Sequence, residues 1–391
     1  MRTALVHYWL LGARGGEKVV EALARMYPDA DIFTLFYDAD SAPELFRSRN
    51  VRASYLNPLK RFYRSLLPLM PMALESFDLR GYDLVISSES GPAKGVLTPS
   101  ATRHVCYCHT PMRYLWELYP AYREFAGPIS RSVLAPVSSY LRTWDYAAAA
   151  RVDRFVANSR NVRRRIWKTY RRKSRVVYPP VAADSFHHSA SEGYFLAVSE
   201  MVAYKRLDYL VRAFAKNGRK LKIAGDGPEY KSLRSLAAPN VEFCGRVSDV
   251  ELRELYARSA AFVMPGEEDF GMTMVEALAS GKPVIALGRG GAVEIVEEGC
   301  GVLYPDASEQ SLEAAICAFD RNENAFHASD LQARASEFSY AQFERGIRAV
   351  ARDGGSPDPR RDSSPGSQAR TKQAGRFGNR PGDWSPAVPP L

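Results

Sequence analysis

Residues 264–286 read MPGEEDFGMTMVEALASGKPVIA, and the order of elements in this stretch decides the fold. The apolar segment Ala261–Met264 predicts a buried strand, ended by Pro265 and Gly266. Glu267, Glu268 and Asp269 then crowd three carboxylates against Phe270 and Gly271. Val275, Leu278 and Ala279 share one side of a helix that Gly281 closes, and Pro283 blocks its continuation. Residues 283–287 form a second apolar strand. Strand, loop, helix and strand in this order predict a parallel sheet, and ligands bind at the carboxyl ends of such strands. The helix aims its first N–H groups at that loop, which suits a phosphate. Glu268 in the loop and Glu276 in the helix can face one cleft and accept hydrogen bonds from the hydroxyls of a nucleotide sugar. Two carboxylates at this spacing are usually a surface loop and a solvated helix face. The flanking F-G, E-A-L-A and G-K-P-V-I favour a site.

The rest of the chain supplies the setting. Its 391 residues leave room for two domains, and 46% hydrophobic with 25% charged residues is ordinary for a soluble globular protein. A net charge of +9 favours anionic partners: nucleotides, diphospholipids, acidic membrane surfaces or nucleic acid. The five cysteines contain no C-x-x-C pair and no His-rich spacing accompanies them, so neither a zinc site nor a disulfide framework is expected. Cys106 and Cys108 alternate with Val105 and Tyr107 as packing residues of a buried strand, which fits a reducing compartment. No apolar run reaches transmembrane length. The N-terminal apolar run is interrupted by His7 and followed by a clear helix, so it reads as strand, loop and helix rather than a signal peptide.

Residues 3–8 form the first strand. Gly12, Gly15 and Gly16 make a loop, and Val19, Val20, Leu23 and Ala24 line the apolar face of a helix at 17–27. Gly15 and Gly16 let the backbone approach a phosphate or sugar, and the dinucleotide pattern G-x-G-x-x-G is absent. Residues 32–37 and 51–56 read as strands. Residues 59–77, LKRFYRSLLPLMPMALESF, set Lys60, Arg61 and Arg64 beside apolar and aromatic side chains, and Pro68 and Pro71 exclude one straight helix. Two readings stand: a surface that touches membrane or a lipid-linked substrate, or a kinked helix pair packed within the domain. Strands follow at 83–87 and 104–109, the second placing His109 at its carboxyl end before Thr110 and Pro111.

Strand Arg154–Ala157 leads into a helix capped by Asn158 or Ser159. That helix carries Arg163, Arg164, Arg165, Lys168, Arg171, Arg172 and Lys173. Without a regular array of aromatics it does not read as a nucleic-acid surface. It is a solvated face or a site for anionic lipid head groups. VVYPPV at 176–181 ends the first domain, and a linker spans 182–192. Strands near 194–199, 220–225, 241–245, 261–264, 283–287 and 301–304 then alternate with helices, which predicts a second doubly wound parallel sheet. Residues 338–352 form a last helix. The Gly-, Pro-, Ser- and Arg-rich residues 353–391 have little to bury and are expected to be disordered.

The run E-D-F-G-x4-E-A-x-A-x-G-x-P-V-I-A resembles the donor-site signature of the retaining GT-B glycosyltransferases of family GT4. The run C-Y-C-H-T-P-M-R-Y-x-W at 106–116 resembles more specifically the bacterial polysaccharide mannosyltransferases within it. The resemblance covers roughly residues 3–352. It implies the GT-B fold: two Rossmann-like α/β domains facing a cleft, here 1–181 on the acceptor side and 193–336 on the nucleotide-sugar side, with 337–352 packing back on the first. It implies Glu268, His109 and Lys205 as catalytic residues. Donor contacts would come from Gly15, Gly16, Arg206, Gly225, Arg246, Val247, Asp269, Phe270, Gly271 and Glu276, with Glu276 on the ribose and Glu268 on the sugar. Gly225-Asp226-Gly227-Pro228 makes a tight turn with proline near the first helical position, and Ser248 is a helix cap. One departure stands out: Glu200 occupies the position where the family places a phosphate-binding arginine. Either Arg206 substitutes, or Glu200 turns away or pairs with a neighbouring base.

The expected function is retaining, metal-independent transfer of a hexose, mannose favoured, from GDP-mannose to a lipid-linked oligosaccharide of a bacterial surface polysaccharide. No cofactor is expected beyond the nucleotide-sugar substrate. The partners are that donor, the lipid-linked acceptor and an anionic membrane surface, with no nucleic acid. The location is cytoplasmic, or peripheral on the inner face of the cytoplasmic membrane. The alternatives are a UDP-sugar-dependent transferase, a sugar-nucleotide epimerase or a non-catalytic subunit on the same fold.

Overall fold

The computed structural model describes residues 1–12, 15–125 and 128–352. Apolar strands separated by amphipathic helices build two all-parallel sheets. The first contains β1 (Thr3–Leu10), β2 (Asp31–Tyr37), β3 (Val51–Ala53), β4 (Leu84–Glu89), β5 (Arg103–Cys108), β6 (Arg154–Ala157) and β7 (Ser174–Val176). Their spatial order is β3-β2-β1-β4-β5-β6-β7. The second contains β8 (Phe195–Val198), β9 (Leu221–Ala224), β10 (Val241–Gly245), β11 (Ala261–Met264), β12 (Val284–Leu287) and β13 (Gly301–Tyr304), in the order β10-β9-β8-β11-β12-β13. The direction of winding reverses between β1 and β4 and between β8 and β11. A parallel doubly wound sheet opens its ligand crevice at that point. The start of the Gly15–Met26 helix, the end of β4 and the Glu267–Gly271 loop all lie there; Gly15 and Gly16, expected in a loop before a helix at 17, are that helix's first residues.

Strands buried on both faces explain the near-continuous apolar runs of β4, β11 and β12. The last helix, Tyr340–Arg352, returns to the first sheet. Phe343, Ile347, Val350 and Ala351 join the core of β1, β4 and β5, and the Arg103 guanidinium reaches the Ala351 carbonyl. Burying Phe343 and Ile347 contributes roughly 2 kcal/mol each. Phe338, just before the helix, packs instead in the core of the second sheet. Both sheets belong to one compact body, Met1–Arg352.

Several local expectations are corrected. The strand expected at 51–56 ends at Ala53, because Ser54 Oγ donates to the Leu35 carbonyl at 2.8 Å and turns the chain. Residues 59–77 contain short helical turns, Asn57–Phe62, Leu67–Leu69 and Met70–Glu75, broken as the two prolines require. Pro228 precedes the helix, which starts at Tyr230, because the Glu229 N–H donates to the Met201 carbonyl and delays helical closure. The terminal residues expected to be disordered, 353–391, lie outside the described residues.

Candidate active site

The Glu267–Gly271 loop is held from two sides. Gly266 packs on the backbone of residue 205, where a Cβ would come within 2.7 Å of the Lys205 carbonyl oxygen. Gly291, after β12, donates its N–H to the Glu268 carbonyl at 2.8 Å, and a Cβ there would sit 1.9 Å from the Phe270 carbonyl oxygen. Phe270 is buried and stacks on Tyr178, ring centres 5.5 Å apart. Gly271, at φ 104, then starts the Met272–Ala279 helix, a backbone conformation that glycine adopts without strain.

This packing joins Lys205 to Glu268 in a largely buried ion pair; each side chain is 16% exposed. Desolvation alone would lower the lysine, but Glu268 and Tyr204 outweigh it and hold the ammonium above the usual lysine range. A positive charge is therefore kept beside the carboxylate and the helix N-terminus. Glu276 lies in the second turn of that helix and is 4% exposed. Tyr256 Oη donates to its Oε2 at 3.1 Å. Lys18 Nζ, from the Gly15–Met26 helix of the first sheet, donates to Oε1 at 3.0 Å. Lys18, Met272 and Glu276 line a cavity of about 430 Å³ between the two halves.

On the opposite wall, Gly15 faces Met272: a Cβ on Gly15 would lie 3.5 Å from its sulfur. Gly16 sits over Tyr8, His7 and His109, with the His109 Nε2 3.9 Å from the position of a Cβ. His109 Nε2 pairs with Ser88 Oγ at 2.9 Å, and desolvation lowers its pKa to about 4. The imidazole is therefore neutral at neutral pH. His7 accompanies it, bonding the Ser88 carbonyl through Nδ1 at 2.8 Å; burial, then His109, lower it to about 3. Behind them lies a fully buried cluster in which Lys94 Nζ pairs with Asp145 and with Glu89 at 3.2 Å. Trp116 and Tyr170 both donate to Asp145 at 2.8 Å. This cluster fixes the end of β4 from which Ser88 reaches His109.

The basic helix Arg160–Tyr170, begun by a Ser159 cap, closes the arrangement. Arg165 holds both Glu267, at 2.9 Å, and Asp269, while Ser159 Oγ donates to the Asp269 carbonyl at 2.6 Å. The N–H groups of Arg160 and Asn161 donate to the Glu294 carboxylate at 2.7 and 2.9 Å. A helix start from the first half is thus capped by a carboxylate of the second. Part of the expected solvated or lipid-binding face is therefore an internal joint, and Arg172 likewise turns back onto the carbonyls of Ala149, Ala150 and Val152.

The structure gathers Glu268, Lys205, Asp269, Phe270, Gly271, Glu276, Gly15, Gly16 and His109 around one cleft. Arg206, Gly225, Arg246 and Val247 stand apart from that centre. Arg206 turns onto its own helix, bonding Asp208 at 3.0 Å and lying over the Tyr209 ring. Gly225 donates its N–H to the Gly245 carbonyl, tying together the ends of β9 and β10. Arg246 is exposed, with Asp226 at 3.9 Å, and Val247 is partly buried beside it. Ser248 caps the following helix in a box with Glu251. Glu200 is exposed at the end of β8. Lys18, Arg113, Arg165, Tyr256 and Glu294 complete the site and carry no local sequence signal, except that Lys18 follows the glycine pair and Arg113 closes the H-T-P-M-R run.

Comparison with known proteins gives the family and the fold. The family described as Glycosyltransferase Family 4 matches residues 13–185, and that described as Glycosyl transferases group 1 matches residues 192–322. An uncharacterized glycosyltransferase of Methanocaldococcus jannaschii is 26% identical over 211 residues, covering 52% of this chain and 60% of that protein. A GDP-mannose-dependent alpha-mannosyltransferase of Mycobacterium tuberculosis is 38% identical over 110 residues, covering 28% of this chain and 29% of its own length. These matches span less than two thirds of the relatives' length. Among solved structures, the Anabaena protein HepE in complex with UDP-glucose superimposes with a TM-score of 0.67 at 20% identity, covering 90% of this chain and 99% of that one.

Proposed function

The chain belongs to the GT4 glycosyltransferases and has the GT-B fold, and from that premise we propose that it transfers a hexose from a nucleotide sugar with retention and without a metal. GDP-mannose is the favoured donor and a lipid-linked oligosaccharide of a bacterial surface polysaccharide the favoured acceptor. The observation that carries the reading is the Lys205–Glu268 pair at the mouth of the Met272–Ala279 helix, facing Gly15, Gly16 and His109. The mannose preference draws support from the GDP-mannose-dependent relatives in Mycobacterium tuberculosis and Corynebacterium glutamicum. HepE, solved with UDP and with UDP-glucose, supports a second reading in which the donor carries uridine.

In this reading the diphosphate takes Lys205 from Glu268, and the released carboxylate receives the sugar hydroxyls. Lys205 and the first N–H groups of the helix stabilise the charge that grows on the leaving phosphate. The acceptor oxygen bonds to C1 on the face from which the phosphate departs. Its proton passes to a leaving phosphate oxygen, giving a glycoside and a nucleoside diphosphate. Neutral His109 orients the sugar, and Glu276 accepts from the ribose.

No helix among the described residues is long and apolar enough to cross a membrane. Exposed Leu59, Phe62, Leu69 and Met72 beside Lys60, Arg61 and Arg64 support contact with an anionic membrane on the acceptor side, for an enzyme working at the inner face of the cytoplasmic membrane. Incubating the protein with GDP-mannose, UDP-glucose and other donors, with and without a lipid-linked acceptor, tests the proposal. Release of nucleoside diphosphate with sugar transfer supports it. Epimerised donor, or no turnover of any donor by folded protein, contradicts it.

A further inference from the structure

A diphosphate leaving with its full negative charge needs more than one cation in a partly dry cleft, and Lys205 enters the reaction already matched by Glu268. Among the described residues, the other cations near it differ in how fully they are engaged. Lys18 is bound to Glu276, and Arg206 to Asp208 on its own helix. Arg165 is hydrogen-bonded to Glu267 and Asp269. Arg113 is held more loosely. Its closest carboxylate oxygens are Glu117 Oε2 at 3.5 Å and Asp269 Oδ1 at 3.6 Å. Its Nε is buried and makes no hydrogen bond. Its guanidinium lies 5.5 Å from the centre of the Tyr204 ring, and Lys205 Nζ lies 5.3 Å from the same ring. Two cations from opposite halves of the molecule thus flank one aromatic ring beside Glu268.

We propose that Arg113 is the second diphosphate ligand, reaching across the cleft to act with Lys205. The inference rests on the donor-site reading above. It also accounts for Glu200: the cation absent from the end of β8 is supplied from the other domain. A planar guanidinium released from those two carboxylates takes two phosphate oxygens at once, and the Tyr204 face keeps it oriented. Asp269 and Glu117 hold Arg113 weakly enough for the phosphate to displace them.

The test is calorimetric binding of GDP and GMP, with UDP and UMP as a second pair, to the full chain and to Arg113→Ala and Arg113→Lys. Thermal unfolding of each variant is recorded alongside. Removing a charge-assisted bidentate contact should weaken the diphosphate about tenfold or more and the monophosphate less than about twofold. Arg113→Lys should fall between, since it keeps the charge without the fork. Equal weakening of both nucleotides, or of neither, overturns the role of Arg113. Wild-type protein that binds none of the four nucleotides overturns the donor-site reading itself, and this inference with it.

Discussion

Lys18 and Glu276 stand 258 positions apart in the chain and meet at 3.0 Å across the cleft. The carboxylate assigned to the ribose is thus already occupied, on one oxygen by a lysine of the other half and on the other by Tyr256. The Lys205–Glu268 pair follows the same logic. Each donor-site carboxylate has a protein partner that donor groups must displace.

The two partners of Glu276 predict unequal effects. Lys18 is 45% exposed, so solvent screens its pair, and Lys18→Ala should cost less than about 1 kcal/mol of stability. Glu276→Gln removes the charged acceptor itself. It should weaken nucleotide-sugar binding by about 1.5–3 kcal/mol, as expected for hydrogen bonds to a charged group. Thermal unfolding checks the first and calorimetry with the donor the second; donor affinity that falls with Lys18→Ala and is kept by Glu276→Gln would reverse the assignment.

Arg165 is 13% exposed and neutralises Glu267 and Asp269 together. Arg165→Ala leaves those carboxylates poorly compensated in a part-buried joint. It should destabilise the protein by about 2–4 kcal/mol, toward the range for breaking a buried pair. Differential scanning calorimetry reads the loss. Arg163→Ala, on the exposed side of the same helix, should change little.

Acid should weaken the fold through its buried histidines. His109 is held at about 4 and His7 and His104 at about 3, each first by desolvation, against an ordinary value of 6.5. Below 6.5 the unfolded chain binds protons that the folded chain refuses. Their contribution is full above that pH and is lost as pH falls toward 4 and then 3. Melting temperatures recorded from pH 7.5 to 4 should decline across that window. The His109 imidazole signal should show no titration above pH 5; a midpoint near 6.5 would contradict its desolvated setting.

Much of this was legible in the chain. Short apolar runs alternating with period-3.6 runs, separated by Gly and Pro, announced two parallel sheets, since strands buried on both faces must be apolar throughout. Glu268, Lys205 and His109 could be picked out because each sits at a strand end or near a helix start, and Glu276 by its spacing from Glu268. Their partners could not. Lys18, Arg165 and Glu294 look like ordinary charges on amphipathic helices, and only the docking of two sheets turns them inward. The strand expected at 51–56 failed for a local reason, a serine side chain capturing a strand carbonyl. The Arg160–Tyr170 helix was misread in part because a dense basic run hides which of its members points inward.

Membrane contact makes a separate prediction. Changing Phe62 and Met72 to Ser removes two exposed apolar side chains, 50% and 60% exposed, without opening the core. Flotation on vesicles containing anionic lipid should then fall at least severalfold, and high salt should weaken wild-type binding by screening Lys60, Arg61 and Arg64. Equal flotation of wild type and variant would place the membrane surface elsewhere.

In the proposed reaction Glu268 acts on the sugar while Lys205 takes the phosphate. The most direct measurement is the transfer rate of Glu268→Gln set beside its affinity for the nucleoside diphosphate. Transfer should fall by roughly 10²–10³ or more, as for loss of a transition-state contact, with diphosphate affinity kept or improved because Lys205 no longer has a competing carboxylate. Transfer retained within about threefold of wild type, against that scale, would contradict that role of Glu268.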